Sequence, residues 1–367
     1  MLSLRLPALI ALACMAVSTA DAAPPAKPLA EKVLVLGHRG ASALRPEHTL
    51  ASYGQAIEDG ADFVEPDLVM TKDGALVARH ENEISGTTNV AKHPEFTARK
   101  TTKTIDGQSI TGWFTEDFTL AEFKTLRARE RLPELRPGNA KFDGQFAVPT
   151  FDEIIDFVAA ESKKRGRTIG IYPEIKHSTY FQGIGLPMED AVLKAIRQHA
   201  YTAKGAPLFI QSFEIANLKI LRGKLGDLPN VKLIQLLGEA KEQPYDVVAG
   251  KQSLNFAQMM QPQGLVEIAK YADAIGPNKL SVIPRTADGK LAAPTALVAD
   301  AHAAKLLVHP YTFRPENYFL PSDLHAPGTP ATRSDAGAVT EIRAYLDAGI
   351  DGFFTDDPSL GRKALAR

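Results

Sequence analysis

Short β-rich runs alternate with helical stretches along almost the whole chain, and that alternation restricts the fold more than any other feature. The runs are Val33–Gly37, Asp62–Asp67, Ile169–Glu174, Leu208–Ser212, Val231–Leu236, Asp273–Pro277, Lys305–Pro310 and Asp351–Thr355. Strands separated by helices imply parallel βαβ units, because a parallel return needs a long crossover. Eight of them predict an α/β fold of the closed (β/α)8 (TIM) barrel type. A chain of 367 residues can hold one such domain.

The helices carry start signals. Thr49 precedes Leu50–Asp59, and Gly60 is placed to end that helix. Thr119-Leu-Ala-Glu122 and Thr150-Phe-Asp-Glu153 both fit a capping box. Asp190 to His199 has apolar positions at helical spacing. Thr71-Lys-Asp73-Gly74 is a turn signal, so Leu68–His80 is expected to form a hairpin beside the barrel, leaving its second strand. From Glu81 to Val148 no long strand pattern appears. A structureless loop of that length would be unusual, so 81–148 is read as an inserted cap over the barrel mouth. Arg314 to Asp335 is expected to be a long surface loop.

Several chemistry-bearing residues fall at predicted strand tips, where barrel enzymes keep their active sites. His38 and Arg39 follow the first run, Glu65 and Asp67 end the second, and His80 closes the hairpin. Glu65 and Asp67, two apart on a strand, face the same side. Carboxylates that close need a cation between them, or one must take up a proton. Glu174 ends the third run. Three carboxylates plus water suit Ca²⁺ or Mg²⁺ rather than zinc, with Ca²⁺ preferred. The alternative for Glu65 and Asp67 is an ion network with Arg39 or Lys176. His38 and His80 are the acid–base candidates, since imidazole titrates near neutrality. Arg39 offers a planar fork to phosphate oxygens, and Lys176 a second positive charge. His309 fits either a substrate contact or a structural partner. Asp356 and Asp357 read as structural, Trp113 and Phe114 as core, and Glu47 and His48 as braces for the site. G-x-x-x-x-G-K-[ST], G-x-S-x-G and H-E-x-x-H are all absent.

A formal net charge of -1 gives no basic field for nucleic acid or an anionic membrane. The N-terminus reads as an export signal over 1–22. Arg5 supplies a thin positive region, Leu6 to Val17 is apolar, and Ala20-Asp21-Ala22 forms a cleavage site. That apolar core is short for a stable membrane span. A linker over 23–31 and a barrel domain over 32–363 follow. The only cysteine, Cys14, lies within the signal, so the mature chain has no disulfide and no thiol ligand. Ala11-Leu-Ala-Cys14 weakly matches a lipoprotein cleavage box, the minority alternative to a free periplasmic protein.

Gly37-His38-Arg39-Gly40-Ala41, Pro46-Glu47-His48-Thr49-Leu50, Glu65-Pro-Asp67 through Gly74, His80, Pro173-Glu174-Ile-Lys176, His309-Pro-Tyr311 and Gly352-Phe-Phe-Thr355-Asp356 together resemble the glycerophosphodiester phosphodiesterase family. The resemblance runs from about Val33 to Leu360, and size and export signal are similar to its periplasmic bacterial branch. It implies a (β/α)8 barrel with a small insertion after the hairpin. It implies hydrolysis of glycerophosphodiesters, such as glycerophosphocholine, to an alcohol and sn-glycerol 3-phosphate. Carried over by position, His38 and His80 become the acid–base pair, with His80 as base and His38 as acid. Glu65, Asp67 and Glu174 become ligands to one divalent cation, and Arg39 the phosphate contact. The family often has His-Asp where this chain has His80-Glu81, which leaves open how His80 is oriented. A small-molecule diester is the expected partner, and a homodimer is admitted but not required. Two rivals stand beside this: a phospholipase-type diesterase acting on intact lipid, and an exported protein that binds glycerophosphodiesters without cleaving them.

Overall fold

The computed structural model describes residues 27–366. The expected signal segment, Cys14 and the first part of the linker lie outside them. Eight parallel strands form a closed barrel. They are β1 (Leu34–Gly37), β2 (Phe63–Val64, resuming as Asp67–Met70), β3 (Gly170–Ile171, resuming as Glu174–Ile175), β4 (Leu208–Ser212), β5 (Val231–Leu237), β6 (Ala274–Pro277), β7 (Leu307–Val308) and β8 (Gly352–Thr355). Each lies on one of the eight predicted runs. They pair in sequence order, with β8 beside β1. Asp351 N donates to Val308 O at 3.0 Å and Phe354 N to Pro310 O at 3.1 Å, which joins β7 to β8 and closes the ring.

The breaks in β2 and β3 have one cause. Pro66 and Pro173 have no N–H, so each interrupts its ladder. Their carbonyls still accept bonds, from Glu174 N at 3.0 Å and Gln211 N at 2.9 Å. The chain therefore stays in register, and Asp67, Glu174 and Gln211 become lateral neighbours on adjacent strands.

Inside the barrel, Leu36, Phe63, Tyr172, Phe209, Ile234, Ala274 and Phe354 form one buried cluster, each contributed by a different strand or its continuation. Tyr172 stacks on Phe209 with centroids 4.9 Å apart, and Phe63 meets Phe209 edge-on at 5.1 Å. A larger apolar layer packs helices against the outer face of the sheet.

The local signals act as the sequence suggests. Thr49 Oγ1 accepts from Ser52 N, capping Leu50–Glu58. Both capping boxes form, at Thr119 with Glu122 and at Thr150 with Glu153. The predicted helix after Asp190 spans Glu189–Gln198. Leu76–Ala78 returns antiparallel to β2, making the expected hairpin.

Residues 81–148 hold more order than their sequence suggested. Thr101–Ile105 and Gln108–Gly112 form a second antiparallel hairpin. Asp106 and Gly107 make its turn with φ of 47° and 79°, the positive values a two-residue hairpin loop demands. Its strands are mostly exposed and threonine-rich, so no apolar alternation marked them. Trp113 and Phe114 are buried, as expected. The excursion from Arg314 is not purely a surface loop, because Glu316 and Asn317 are buried within it.

Phe209 is the central ring of the barrel interior. Phe209→Ala should destabilise the protein by about 3–5 kcal/mol, as large aromatic truncations in cores do. Urea unfolding followed by fluorescence checks this; a loss under about 1 kcal/mol would mean that the interior cluster does not hold the barrel together.

Candidate active site

Arg39 sits in the left-handed region at φ 57°, and Gly40 follows at φ 92°. A Cβ on Gly40 would lie 2.4 Å from Ser52 Oγ, so only glycine lets the chain fold back here. The turn lifts His38 and Arg39 into the mouth and aims Arg39 N at Glu65 Oε2, 3.1 Å away. The proline breaks place Glu65, Asp67 and Glu174 together, with one oxygen of each within 4.8 Å of the others.

These three carboxylates are buried. Burial, reinforced by Asp67 and Glu174, pushes the Glu65 carboxyl well above its usual value. Glu174 rises to about 7, mainly through burial and despite Lys176 at 2.7 Å. Burial also opposes ionisation of Asp67, but His48 and Lys176 outweigh it and hold Asp67 well below the usual range. His48 Nε2 lies 3.0 Å from Asp67 Oδ2, and Gln211 Nε2 donates to Glu65 Oε1 at 2.6 Å. One oxygen stays unserved, since Asp67 Oδ1 is buried without a hydrogen-bond partner. Three converging carboxylates with an orphaned oxygen fit a hard divalent cation.

His38, Arg39, His80, Lys176, Gln211 and Arg314 line one cavity of about 120 Å³ with these acids. His38 Nδ1 lies 2.5 Å from Asp356 Oδ1, which leaves Nε2 for the cavity. Burial, reinforced by Arg39, lowers the His38 ring to about 4, and Asp356 opposes that shift. His80 Nδ1 pairs with Glu81 Oε1. Burial, Arg39 and Lys176 hold the His80 ring below its usual value, against the pull of Glu81.

Both orienting carboxylates are gripped by arginines from the insertion. Arg131 Nη2 meets Glu81 Oε2 at 2.6 Å and Glu47 Oε1 at 2.7 Å. Arg136 Nη2 meets Asp356 Oδ2 at 2.5 Å while its Nε holds Glu316 Oε1 at 2.7 Å. Arg314 Nε adds a third cation to Asp356, at 3.1 Å. Glu47 also anchors Arg39 Nη1 at 3.1 Å, so Glu47 and His48 brace the site as expected.

Two expectations change. Asp356 is not merely structural, for it orients His38. Asp357 does keep a structural role, capping Pro358–Leu365. The structure does not bring His309 to the others: its ring is fully buried in the barrel interior, with Nδ1 2.9 Å from the Tyr172 hydroxyl. Sequence reasoning missed Glu81, Arg131, Arg136, Arg314 and Gln211. Only Glu81, adjacent to His80, carried a local signal.

Residues 38–360 match the model of the glycerophosphoryl diester phosphodiesterase family. The chain is 35% identical over 339 residues to a glycerophosphodiester phosphodiesterase of Arabidopsis thaliana, covering 88% of this chain and 82% of that protein. It is 31% identical over 354 residues to one from Haemophilus influenzae, covering 90% and 89%. A solved phosphodiesterase from Oleispira antarctica, in complex with the product sn-glycerol-3-phosphate, shares the fold at a TM-score of 0.56 and 18% identity, over 91% of this chain and 97% of that one.

Calcium binding followed by calorimetry should tighten as pH rises through 7, because Glu65 and Glu174 must release protons to ligate. The enthalpy measured in buffers of different ionisation heat should show that release. Asp67→Asn should weaken binding by at least ~10²-fold, beyond the usual loss for an outer-shell partner. Affinity independent of pH, or unchanged in Asp67→Asn, would count against this cluster as the ion site.

Proposed function

The chain belongs to the glycerophosphoryl diester phosphodiesterase family, whose members are phosphoric diester hydrolases, and we propose that it cleaves glycerophosphodiesters to an alcohol and sn-glycerol 3-phosphate. One observation carries the reading: two carboxylate-oriented imidazoles, two phosphate-binding cations and three clustered carboxylates face a single cavity. The Oleispira antarctica enzyme, of the same fold, holds that product. The charged walls favour water-soluble diesters over intact lipid, and among the described residues no helix is long and apolar enough to cross a membrane. The leader over 1–22 supports export to the periplasm.

Arg39 and Lys176 draw the phosphodiester into the cavity and balance its charge, Arg39 through a planar fork. Glu47 fixes the direction of that fork. His80, kept neutral by Arg39 and Lys176, is poised to take the proton of the nucleophile at its free nitrogen. Asp356 favours a charged His38 ring, which suits His38 to hand a proton to the departing alcohol. The nucleophile is water or the neighbouring glycerol hydroxyl, and proximity favours the internal attack. A divalent ion held by Glu65, Asp67 and Glu174, Ca²⁺ in preference to Mg²⁺, would offset charge developing on the phosphoryl oxygens.

Incubation with glycerophosphocholine should release glycerol 3-phosphate, lose that activity to a chelator and regain it with added Ca²⁺. No product with any metal would end this reading. His38→Ala and His80→Ala should each lower kcat by at least ~10²-fold, and near-normal turnover would remove that ring from the mechanism. Glu81→Gln and Arg131→Met serve His80 through one contact chain. Their double variant should therefore lose about as much kcat as the worse single variant. Strictly additive losses would show that Arg131 does not act through Glu81.

A further inference from the structure

The cavity at the histidines, about 120 Å³, is small for a whole diester. A second cleft of about 610 Å³ shares Glu174, Lys176 and Phe213 with it. A substrate whose phosphate lies against Arg39 and Lys176 has two ester arms, and the shared wall makes the second cleft the path with room for the larger one. The chemistry of that cleft then bears on which alcohol the enzyme releases.

Its two sides come from different parts of the chain. The tip of the inserted hairpin, Asp106 to Gln108, forms one side, and the stretch after β5, Glu242 to Tyr245, the other. The sides come close, since a Cβ on Gly107 would stand 3.7 Å from the Tyr245 ring. The floor is aromatic. The Phe213 ring lies 6.2 Å from Phe256 and 6.0 Å from Tyr311, each tilted edge to face.

The wall charge is lopsided. Asp106, Glu174, Glu214 and Glu242 are set against Lys176 and His177. Lys176 is already matched by Glu174 at 2.7 Å. Asp106 gives Oδ2 to His177 Nδ1 at 2.6 Å, while its Oδ1 is buried without a partner. Glu214 accepts from Thr179 N at 3.0 Å and is likewise almost wholly buried. An aromatic floor under a surplus of carboxylates suits a cation with a bulky, weakly hydrated surface, since ring faces and anions both attract it and neither needs a donor. A polyol headgroup would gain little there.

We propose that this second cleft receives the alcohol arm of the diester and selects a cationic ammonium headgroup, of the choline or ethanolamine kind, over polyol headgroups. The proposal rests on the hydrolytic reading and names the substrate class for that same site. Asp106 and Glu242 are its specificity residues, and Phe213 and Tyr245 supply the ring faces.

Three measurements on the full protein test it. Wild-type kcat/KM should be about tenfold higher for glycerophosphocholine than for glycerophosphoglycerol at low salt, a gap of the size that ammonium–aromatic contacts give, and it should shrink as salt screens the carboxylates. Choline should inhibit with a Ki about tenfold lower than its neutral carbon isostere, dimethylbutanol, a comparison that needs no variant. Asp106→Asn and Glu242→Gln should each narrow the choline-to-glycerol ratio severalfold. Equal kcat/KM for the two diesters, or equal inhibition by choline and its isostere, would overturn the cleft assignment while leaving the hydrolase reading intact. If no diester is cleaved, the hydrolase reading falls instead, and choline titrated by calorimetry against the same isostere still decides whether the cleft prefers a cation.

Discussion

Three carboxylates packed within 4.8 Å of one another inside a barrel mouth set the terms for everything around them. Two like charges 4 Å apart repel by about 4 kcal/mol at an effective dielectric near 20, and burial adds desolvation to that cost. The surrounding residues answer this charge one by one. Lys176 faces Glu174, His48 faces Asp67, and Gln211 with the Arg39 backbone N–H serves Glu65. Even so, Glu65 and Glu174 are pushed towards protonation while Asp67 stays charged. The protein alone therefore does not fully ionise the cluster, and that remaining deficit is what a divalent cation would supply.

The same problem recurs one layer out. An imidazole at this mouth is pushed towards neutrality by burial and by Arg39, so each ring needs a carboxylate on its far nitrogen to fix its direction. Those carboxylates are in turn buried beside other acids and need cations of their own. Arg131 bridges Glu81 and Glu47, and Arg136 bridges Asp356 and Glu316. Five residues apart in one inserted segment, these two arginines reach both halves of the site. This gives the insertion a physical task beyond covering the mouth. It also answers how the longer Glu81 serves His80, because Arg131 holds its carboxylate against the ring.

The barrel was legible because its signals are local and repeated. Apolar runs at βαβ spacing, threonine caps and the Thr71 to Gly74 turn each commit a short stretch by short-range physics, and each appears where expected. The hairpin over 101–112 escaped because its strands bury almost nothing, so threonine and lysine replace the alternation that betrays a half-buried strand. Asp106-Gly107 was the signal that could have found it. The carboxylates at 65 and 67 were legible as a pair through strand parity. Their meeting with Glu174 depends on Pro66 and Pro173 preserving register across two breaks.

Strand-tip position alone did not separate the histidines. His38 and His309 both follow an apolar run, yet one ring turns to the mouth and the other into the core. For His38 the turn through Arg39 and Gly40 lifts the ring, and Asp356 waits beside it. His309 has no such turn. Its N–H stays in the ladder, bonded to Ile275 O at 2.9 Å. Gly352 on the neighbouring strand leaves the space its ring fills, for a Cβ there would come within 2.9 Å of His309 Cδ2. Tyr172 and Phe209 then complete an aromatic pocket around it. A missing side chain on the next strand thus decides where this imidazole goes. That information sits 43 residues away in the chain and has no periodicity to announce it.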